Sequence, residues 1–442
     1  MILFTHHTGE PHGILGAQVA ATFLERRLSI PSIVVGIERD FSKEALLRFI
    51  DAHYEGEEKR VAFTHLCGRK DLMDLARELK KGGFRTTLGG PQAREDYEGE
   101  PDADAQPHRF KGLKSIIDMA FQGPVDGLRS EDLDTRIGLL ESSWKKDLYL
   151  EVDWSNLYTF SDSLRKLEIR LGQVLNAIGC PYAGKIQTVV LSPPTSLRGK
   201  GVPEIKVRSG GCVFCDVSRD KGYHGRIGQD RVIAQIAGLP EVEGRKIPFE
   251  LIDEYPIRSL GGLLEETERH GIKVSQINLV CRVDDINEHA SLLTNVLSLA
   301  RKLNIIIMFS SIGFESFSDR LLQHFCKGIT VRDIVSCVET LRELKERFGD
   351  HLRYRRDEGA NHGFIRPTPW DDPETMREMD SYIFLNRWHE DILPEHSTPL
   401  IIHHASYLGD WIREIESTTG ITFGREGTWI EWWDPSVPSR VH

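Results

Sequence analysis

No apolar stretch in this 442-residue chain approaches ~18 residues, so nothing in it is expected to span a bilayer. Positive charge is scarce as well: 56 lysines and arginines face 67 aspartates and glutamates, a net charge of −11. That balance argues against a general nucleic-acid or anionic-membrane surface. The start, Met1-Ile-Leu-Phe-Thr-His-His, lacks the basic stretch and long apolar run of a secretory leader, and none is expected. The seven cysteines are odd in number and widely scattered, which does not make a disulfide framework. A reducing cytoplasm is the expected compartment. Internal repeats and low-complexity tracts are absent too.

What is present is the composition of an ordinary globular protein, long enough for two or three domains with real cores. The first ~125 residues alternate strand and helix patterns, as in an open parallel sheet. Strands are expected at Met1–Thr5, Ser32–Gly36, Arg60–Thr64 and Phe84–Leu88, with helices at Leu15–Arg27, Lys43–His53 and Lys70–Lys81. The fourth strand runs into Gly89-Gly90-Pro91-Gln92, where glycine lets backbone approach a large ligand at the sheet's carboxyl edge. Acidic and irregular sequence from about 129 to 159 reads as a connector. Leu164, Leu167, Leu171, Val174, Leu175 and Ile178 have helical spacing, so a helix closed by Gly179 is expected over Ser161–Ile178.

The most informative stretch is Arg208-Ser-Gly-Gly-Cys212-Val-Phe-Cys215-Asp216. Two cysteines three apart, on a glycine-loosened turn between a strand and a helix, can aim both sulfurs at one soft metal centre. A structural zinc half-site and two unliganded thiols fit the same turn. Strand and helix alternation then resumes. Strands over Phe249–Asp253, Val274–Cys281, Asn304–Phe309 and His362–Ile365 each end in polar residues, as in a β/α barrel that builds its site at strand carboxyl ends.

Taken in order, these segments resemble the cobalamin-dependent branch of the radical S-adenosylmethionine enzymes. Leu88-Gly-Gly-Pro91 and Phe121-Gln-Gly-Pro124 are similar to strand ends of its cobalamin-binding domain. Gly211-Cys-Val-Phe-Cys-Asp216 resembles the end of its CxxxCxxC cluster motif, and Asp253-Glu-Tyr-Pro256 its Gly-Gly-Glu-Pro strand. Gly313-Phe-Glu-Ser316 with Lys327-Gly-Ile-Thr330 resembles its Gly-x-Glu-Ser…Lys-Gly-x-Thr segment, and His362-Gly-Phe-Ile with Pro369-Trp370 its sixth-strand region. The implied fold class is α/β. A doubly wound, flavodoxin- or Rossmann-like cobalamin-binding domain (1–140) is followed by a connector holding a helix and the first candidate cluster cysteine (141–200). A full or partial β/α barrel radical domain (201–375) and a Trp- and His-rich C-terminal extension (376–442), a candidate cover for the substrate, complete the chain.

The resemblance implies a [4Fe-4S] cluster, S-adenosylmethionine and cobalamin, an external electron donor of flavodoxin or ferredoxin type, and a small-molecule substrate, with no nucleic acid and no membrane. One departure stands out. The position four before Cys212 holds Arg208, whereas three thiolates are needed to hold a cluster with one iron open. The third candidate is Cys180 in Gly179-Cys-Pro-Tyr182, with 31 residues between it and Cys212. Cys180, Cys212 and Cys215 are therefore the expected metal ligands; the alternative is an unusual ligand or no cluster. In the same reading Glu254 takes the ammonium of the methionine moiety, with Tyr255 against adenine and Pro256 beside them. Ser310, Ser311 and Glu315 contact ribose or carboxylate; Arg282 is a further cofactor contact, or a salt-bridge partner of Glu315. At the corrin, His12, Thr64, His65, Gly89, Gly90 and Pro91 are the candidates, His12 as a lower cobalt ligand or as a turn residue that ligates nothing. Methyl transfer to an unactivated carbon is the leading activity. Rearrangement, cyclisation or oxidation is the second, and a cobalamin-binding or sensing protein without a cluster the third.

Overall fold

In the computed structural model, which describes residues 1–55, 58–64, 66, 68–145, 147–215 and 222–432, the strand Ile2–His6 lies in the middle of an eight-stranded sheet. The order is Gly138–Glu141, Met119–Gln122, Arg85–Gly89, Arg60–Phe63, Ile2–His6, Ile33–Ile37, Leu157–Phe160 and Leu164–Lys166. All neighbours pair in parallel except the last two. In chain order the first five strands run 2-1-3-4-5, the flavodoxin-like winding, whose switch point lies between the first and third strands. The helices form where the sequence sets them. Lys70–Lys81 buries Leu72, Met73, Leu75, Ala76 and Leu79 on one stripe against the sheet, with Lys80 and Lys81 at its carboxyl end.

The chain divides into two compact units. The first comprises Met1–Val174, Asp230–Glu241 and Arg425–Trp429, and the second Leu175–Gln229, Val242–Gly424 and the chain from Ile430. The stretch read as a connector holds strands Gly138–Glu141 and Leu157–Phe160, which extend the first sheet at either end. The helix expected over Ser161–Ile178 is not formed. Leu164–Lys166, Gly172–Leu175 and Ala177–Gly179 are short strands instead. Apolar residues three and four apart served two different packings here: Leu164 lies against the first core, whereas Val174 and Ile178 are buried on their own strands.

In the second unit Phe249–Ile252, Gln276–Arg282, Ile306–Glu315 and Leu352–Arg353 lie side by side in chain order, all parallel. Gly363–Phe364 also pairs with the long third strand. Helices Ile257–Arg269, Ala290–Lys302 and Val331–Phe348 connect them, an arrangement of part of a β/α barrel. Ile186–Leu191 and Ile205–Gly210 form an antiparallel hairpin in unbroken register, so the strand before Cys212 is an excursion from this barrel and not its first strand. No described helix is long and apolar enough to cross a membrane.

Arg425 ties the returning C-terminal segment into the first unit. It meets Glu100 through two bonds of 2.8 and 2.9 Å, with both side chains almost wholly buried. Replacing Glu100 by Ala leaves that guanidinium without its carboxylate, at an expected cost of about 3–5 kcal/mol, to be read as a lowered urea midpoint.

Candidate functional site

Cys180 directly follows the strand segments Gly172–Leu175 and Ala177–Gly179 and opens the short 3-10 turn Pro181–Gly184. Its carbonyl accepts from the Ala183 amide at 2.9 Å, and its own amide bonds to Gly222 O at 3.2 Å. The turn lies against the end of the hairpin. A Cβ on Gly210 would be 2.7 Å from Ala183 O, and one on Gly211 (φ +86°) 3.2 Å from Ala183 Cα. Backbone thus meets backbone just ahead of Cys212, a proximity that glycine alone permits. The absence of thiol at 208 is explained by the hairpin: Arg208 pairs with Thr188 and is exposed.

The Cys212–Cys215 turn is closed by Cys215 N to Cys212 O at 3.2 Å and docked through Val213 N to Phe325 O at 3.0 Å. Phe214 meets Phe325 edge-on at 5.4 Å. Cys212 is buried, and Cys180 and Cys215 are half-buried; none of the six described cysteines is in a disulfide. Burial, with Glu254 nearby, pushes the Cys180 thiol up to about 11. Asp216 lies outside the described residues.

Arg282 ends the strand Gln276–Arg282 and is 4% exposed. Its Nε donates to Asp284 Oδ1 at 2.8 Å, and its Nη2 to Asp284 Oδ2 at 3.2 Å and to Lys327 O at 2.6 Å. Nη1 donates to Cys212 Sγ at 3.5 Å, and the guanidinium lies 4.0 Å from the centre of the Tyr182 ring. The salt bridge considered between Arg282 and Glu315 is not made, because each finds a nearer partner. Glu315 accepts from the buried Lys327 ammonium at 2.9 Å. Glu315 itself sits at φ +62°, a strained backbone for a residue other than glycine.

Tyr255 donates to Asp284 Oδ2 at 2.9 Å, and burial raises its phenol well above the usual range. Pro256 leads into the helix Ile257–Arg269, and Glu254 is half-buried close enough to Cys180 to perturb its thiol. Beside them is a cavity of about 280 Å³ lined by Pro181, Tyr182, Arg226, Asp253, Tyr255 and His289, among others. Ser310 and Ser311 lie within the strand Ile306–Glu315, which runs past the expected end at Phe309 because its register shifts opposite Leu279 and Val280. Ser310 Oγ donates to Leu279 O at 3.1 Å. Trp370 is a core residue, tilted against Trp411 with ring centres 5.0 Å apart.

In the first unit, the carboxyl edge gathers the residues following the first, third and fourth strands. Gly90 adopts φ +118°, and a Cβ there would be 2.6 Å from Thr64 O, whereas nothing lies within 4 Å of a Cβ on Gly89. Pro91 is exposed. His12 stacks on His7 at 4.7 Å, and His7 Nε2 meets His12 O at 3.1 Å; burial holds both rings below the usual imidazole range and therefore neutral near pH 7. His65 lies outside the described residues. Sequence reasoning passed over Arg69, which is buried at the switch point with Nη1 2.9 Å from His6 Nδ1 and 3.1 Å from Ile37 O. It read Trp429 only as one residue of a C-terminal cover for the substrate, whereas its ring covers Gly68 after the third strand. Arg69 stands one residue after the loop glycine, and only the paired strand ends make it central.

No protein-family model matches the chain, and no curated protein matches it. Solved structures do. OxsB with aqua-cobalamin and S-adenosylmethionine bound superposes with a TM-score of 0.54 at 10% identity, over 97% of this chain and 63% of that one. This chain has the fold of a cobalamin-dependent S-adenosylmethionine radical enzyme. OxsB with aqua-cobalamin alone (0.54, 11%, 97% and 64%) and apo, SeMet-labelled OxsB (0.54, 11%, 97% and 63%) match equally. The chain thus spans less than two thirds of the length of these proteins.

Glu315→Ala would strand a buried ammonium at Lys327. The expected loss is about 3–5 kcal/mol, measurable by denaturant unfolding, whereas Ser310→Ala, on a half-buried hydroxyl, is expected to cost about 0.5–1.5 kcal/mol.

Proposed function

We propose that this chain is a cobalamin-dependent radical S-adenosylmethionine enzyme that methylates an unactivated carbon of a small molecule. The observation that carries the reading is the seating of the turn after Cys180 against Gly210 and Gly211, which brings a chain-distant cysteine's turn up to the stretch just before Cys212. Three cysteines are the donor chemistry of a [4Fe-4S] cluster with one open iron, so Cys180, Cys212 and Cys215 are the residues that would hold it. The fold likeness to OxsB, solved with cobalamin and S-adenosylmethionine, supports the same cofactors here. When bound, the cluster and S-adenosylmethionine supply an organic radical and the corrin a transferable methyl group.

The chain's own residues orient and insulate. Glu254, near Cys180, would accept from the ammonium of the methionine moiety, and Tyr255 offers a ring beside the 280 Å³ cavity. Asp253 holds that strand end rigid: it accepts from Asn176 at 2.6 Å and from its neighbour's amide, Tyr255 N, at 2.9 Å. At the other unit, the open backbone of Gly89 would leave room for a corrin, while Gly90 packs against Thr64 O. The neutral rings of His7 and His12 leave His12 chemically able to ligate cobalt from below. An external flavodoxin or ferredoxin supplies the electron, in the cytoplasm.

Anaerobic reconstitution tests this directly. About four irons per chain are expected, and Cys180→Ala, Cys212→Ala and Cys215→Ala should each abolish the cluster while Cys337→Ala keeps it. Reductive cleavage of S-adenosylmethionine together with a product one methyl heavier is the expected activity. An isomer or a product short of hydrogen would assign rearrangement or oxidation instead, and a chain that binds aqua-cobalamin but no iron would be a binding protein.

A further inference from the structure

In the usual cluster motif three residues separate the first two cysteines, so local backbone alone keeps them together. Here 31 residues intervene, most of them in a hairpin. Some other group has to lock the Cys180 turn to Cys212, and Arg282 touches both. Its guanidinium carbon lies over the Tyr182 ring, two residues past Cys180, 4.0 Å from the ring centre, while Nη1 reaches the Cys212 sulfur at 3.5 Å. We infer that Arg282 is a positioning residue for the cluster and not a ligand of S-adenosylmethionine, clamping the distant cysteine's turn to Cys212 and raising the cluster's reduction potential through the contact to sulfur.

The hydrogen-bond pattern supports this division of labour. Of the five N–H groups of a guanidinium, Asp284 takes two, Lys327 O one and Cys212 one, which leaves a single N–H for any other partner. A bidentate grip on a carboxylate needs two. The guanidinium keeps its positive charge, as arginine does in proteins, with the Asp284 carboxylate beside it. A permanent cation and an N–H aimed at a ligating sulfur stabilise the reduced, more negative cluster, so both act to raise its potential. Tyr182 is fixed in turn: its hydroxyl donates to Cys326 O at 2.9 Å and accepts from Gln187 at 3.0 Å.

This inference rests on the cluster reading above, and the experiment separates the two. The full chain, R282M and R282K are reconstituted anaerobically and compared for iron content, midpoint potential by redox titration with electron paramagnetic resonance, and S-adenosylmethionine affinity. R282M is expected to retain its iron, to show a more negative midpoint and to bind S-adenosylmethionine as the unaltered chain does; R282K, which keeps the charge but not the fork, should shift less. An unmoved midpoint combined with weakened S-adenosylmethionine binding would overturn the assignment and make Arg282 a cofactor ligand. If R282M takes up no iron, R282K decides: iron held at an unmoved midpoint overturns the proposal, and a negative shift sustains it. An unaltered chain without iron–sulfur absorption would sink the cluster reading itself.

Discussion

Two stretches of backbone, the turn after Cys180 and the end of the hairpin at Gly210–Gly211, have to lie in direct contact for this site to exist. A side chain at Gly210 would press on the Ala183 carbonyl, and one at Gly211 would be held in a left-handed backbone close to Ala183 Cα. That contact lays the turn after Cys180 against the stretch before Cys212, and Arg282 lies over Tyr182 of the same turn while reaching both Cys212 and Lys327. Removing the contact would leave ordinary parts of a barrel with no common focus.

Two cations at this focus, Lys327 and Arg282, are each held by a carboxylate. Lys327 pairs with Glu315 and Arg282 with Asp284, and Arg282, which contacts the Cys212 sulfur, also bonds the Lys327 carbonyl, so the two pairs sit side by side with their cations buried. Buried pairs add little net stability compared with apolar packing but are costly to break singly. Such an arrangement is better understood as fixing geometry than as holding the fold together. The strained backbone at Glu315 points the same way, since the chain tolerates it where the carboxylate must meet Lys327.

How much of this was legible in the sequence depended on whether the signal was local. Helices such as Lys43–His53 and Lys70–Lys81 announce themselves through apolar stripes and charged ends, and they form with the expected bounds. Gly89 and Gly90 were legible as a strand-end turn for the same reason. Leu164 to Ile178 misled because a spacing of three and four also arises when successive short strands bury residues in different places. The correction bears on the site: with that segment extended, Cys180 follows strands, as the first cysteine of a barrel site should. Arg69 and Asp284 were silent because their roles come from partners far along the chain, His6 at 63 residues' separation and Tyr255 at 29. At 10% identity to a structure of the same fold, shape has outlasted nearly all residue likeness.

The hairpin Ile186–Leu191/Ile205–Gly210 leaves and re-enters the barrel at neighbouring points, and its own backbone ladder satisfies the groups it adds. An excursion that closes on itself in this way can lengthen or shrink during evolution without displacing what lies at its base. The count of residues between a first and a second cysteine is therefore a loop length, not a chemical requirement. Pattern searches keyed to a fixed interval will pass over enzymes whose sulfurs are neighbours in space alone.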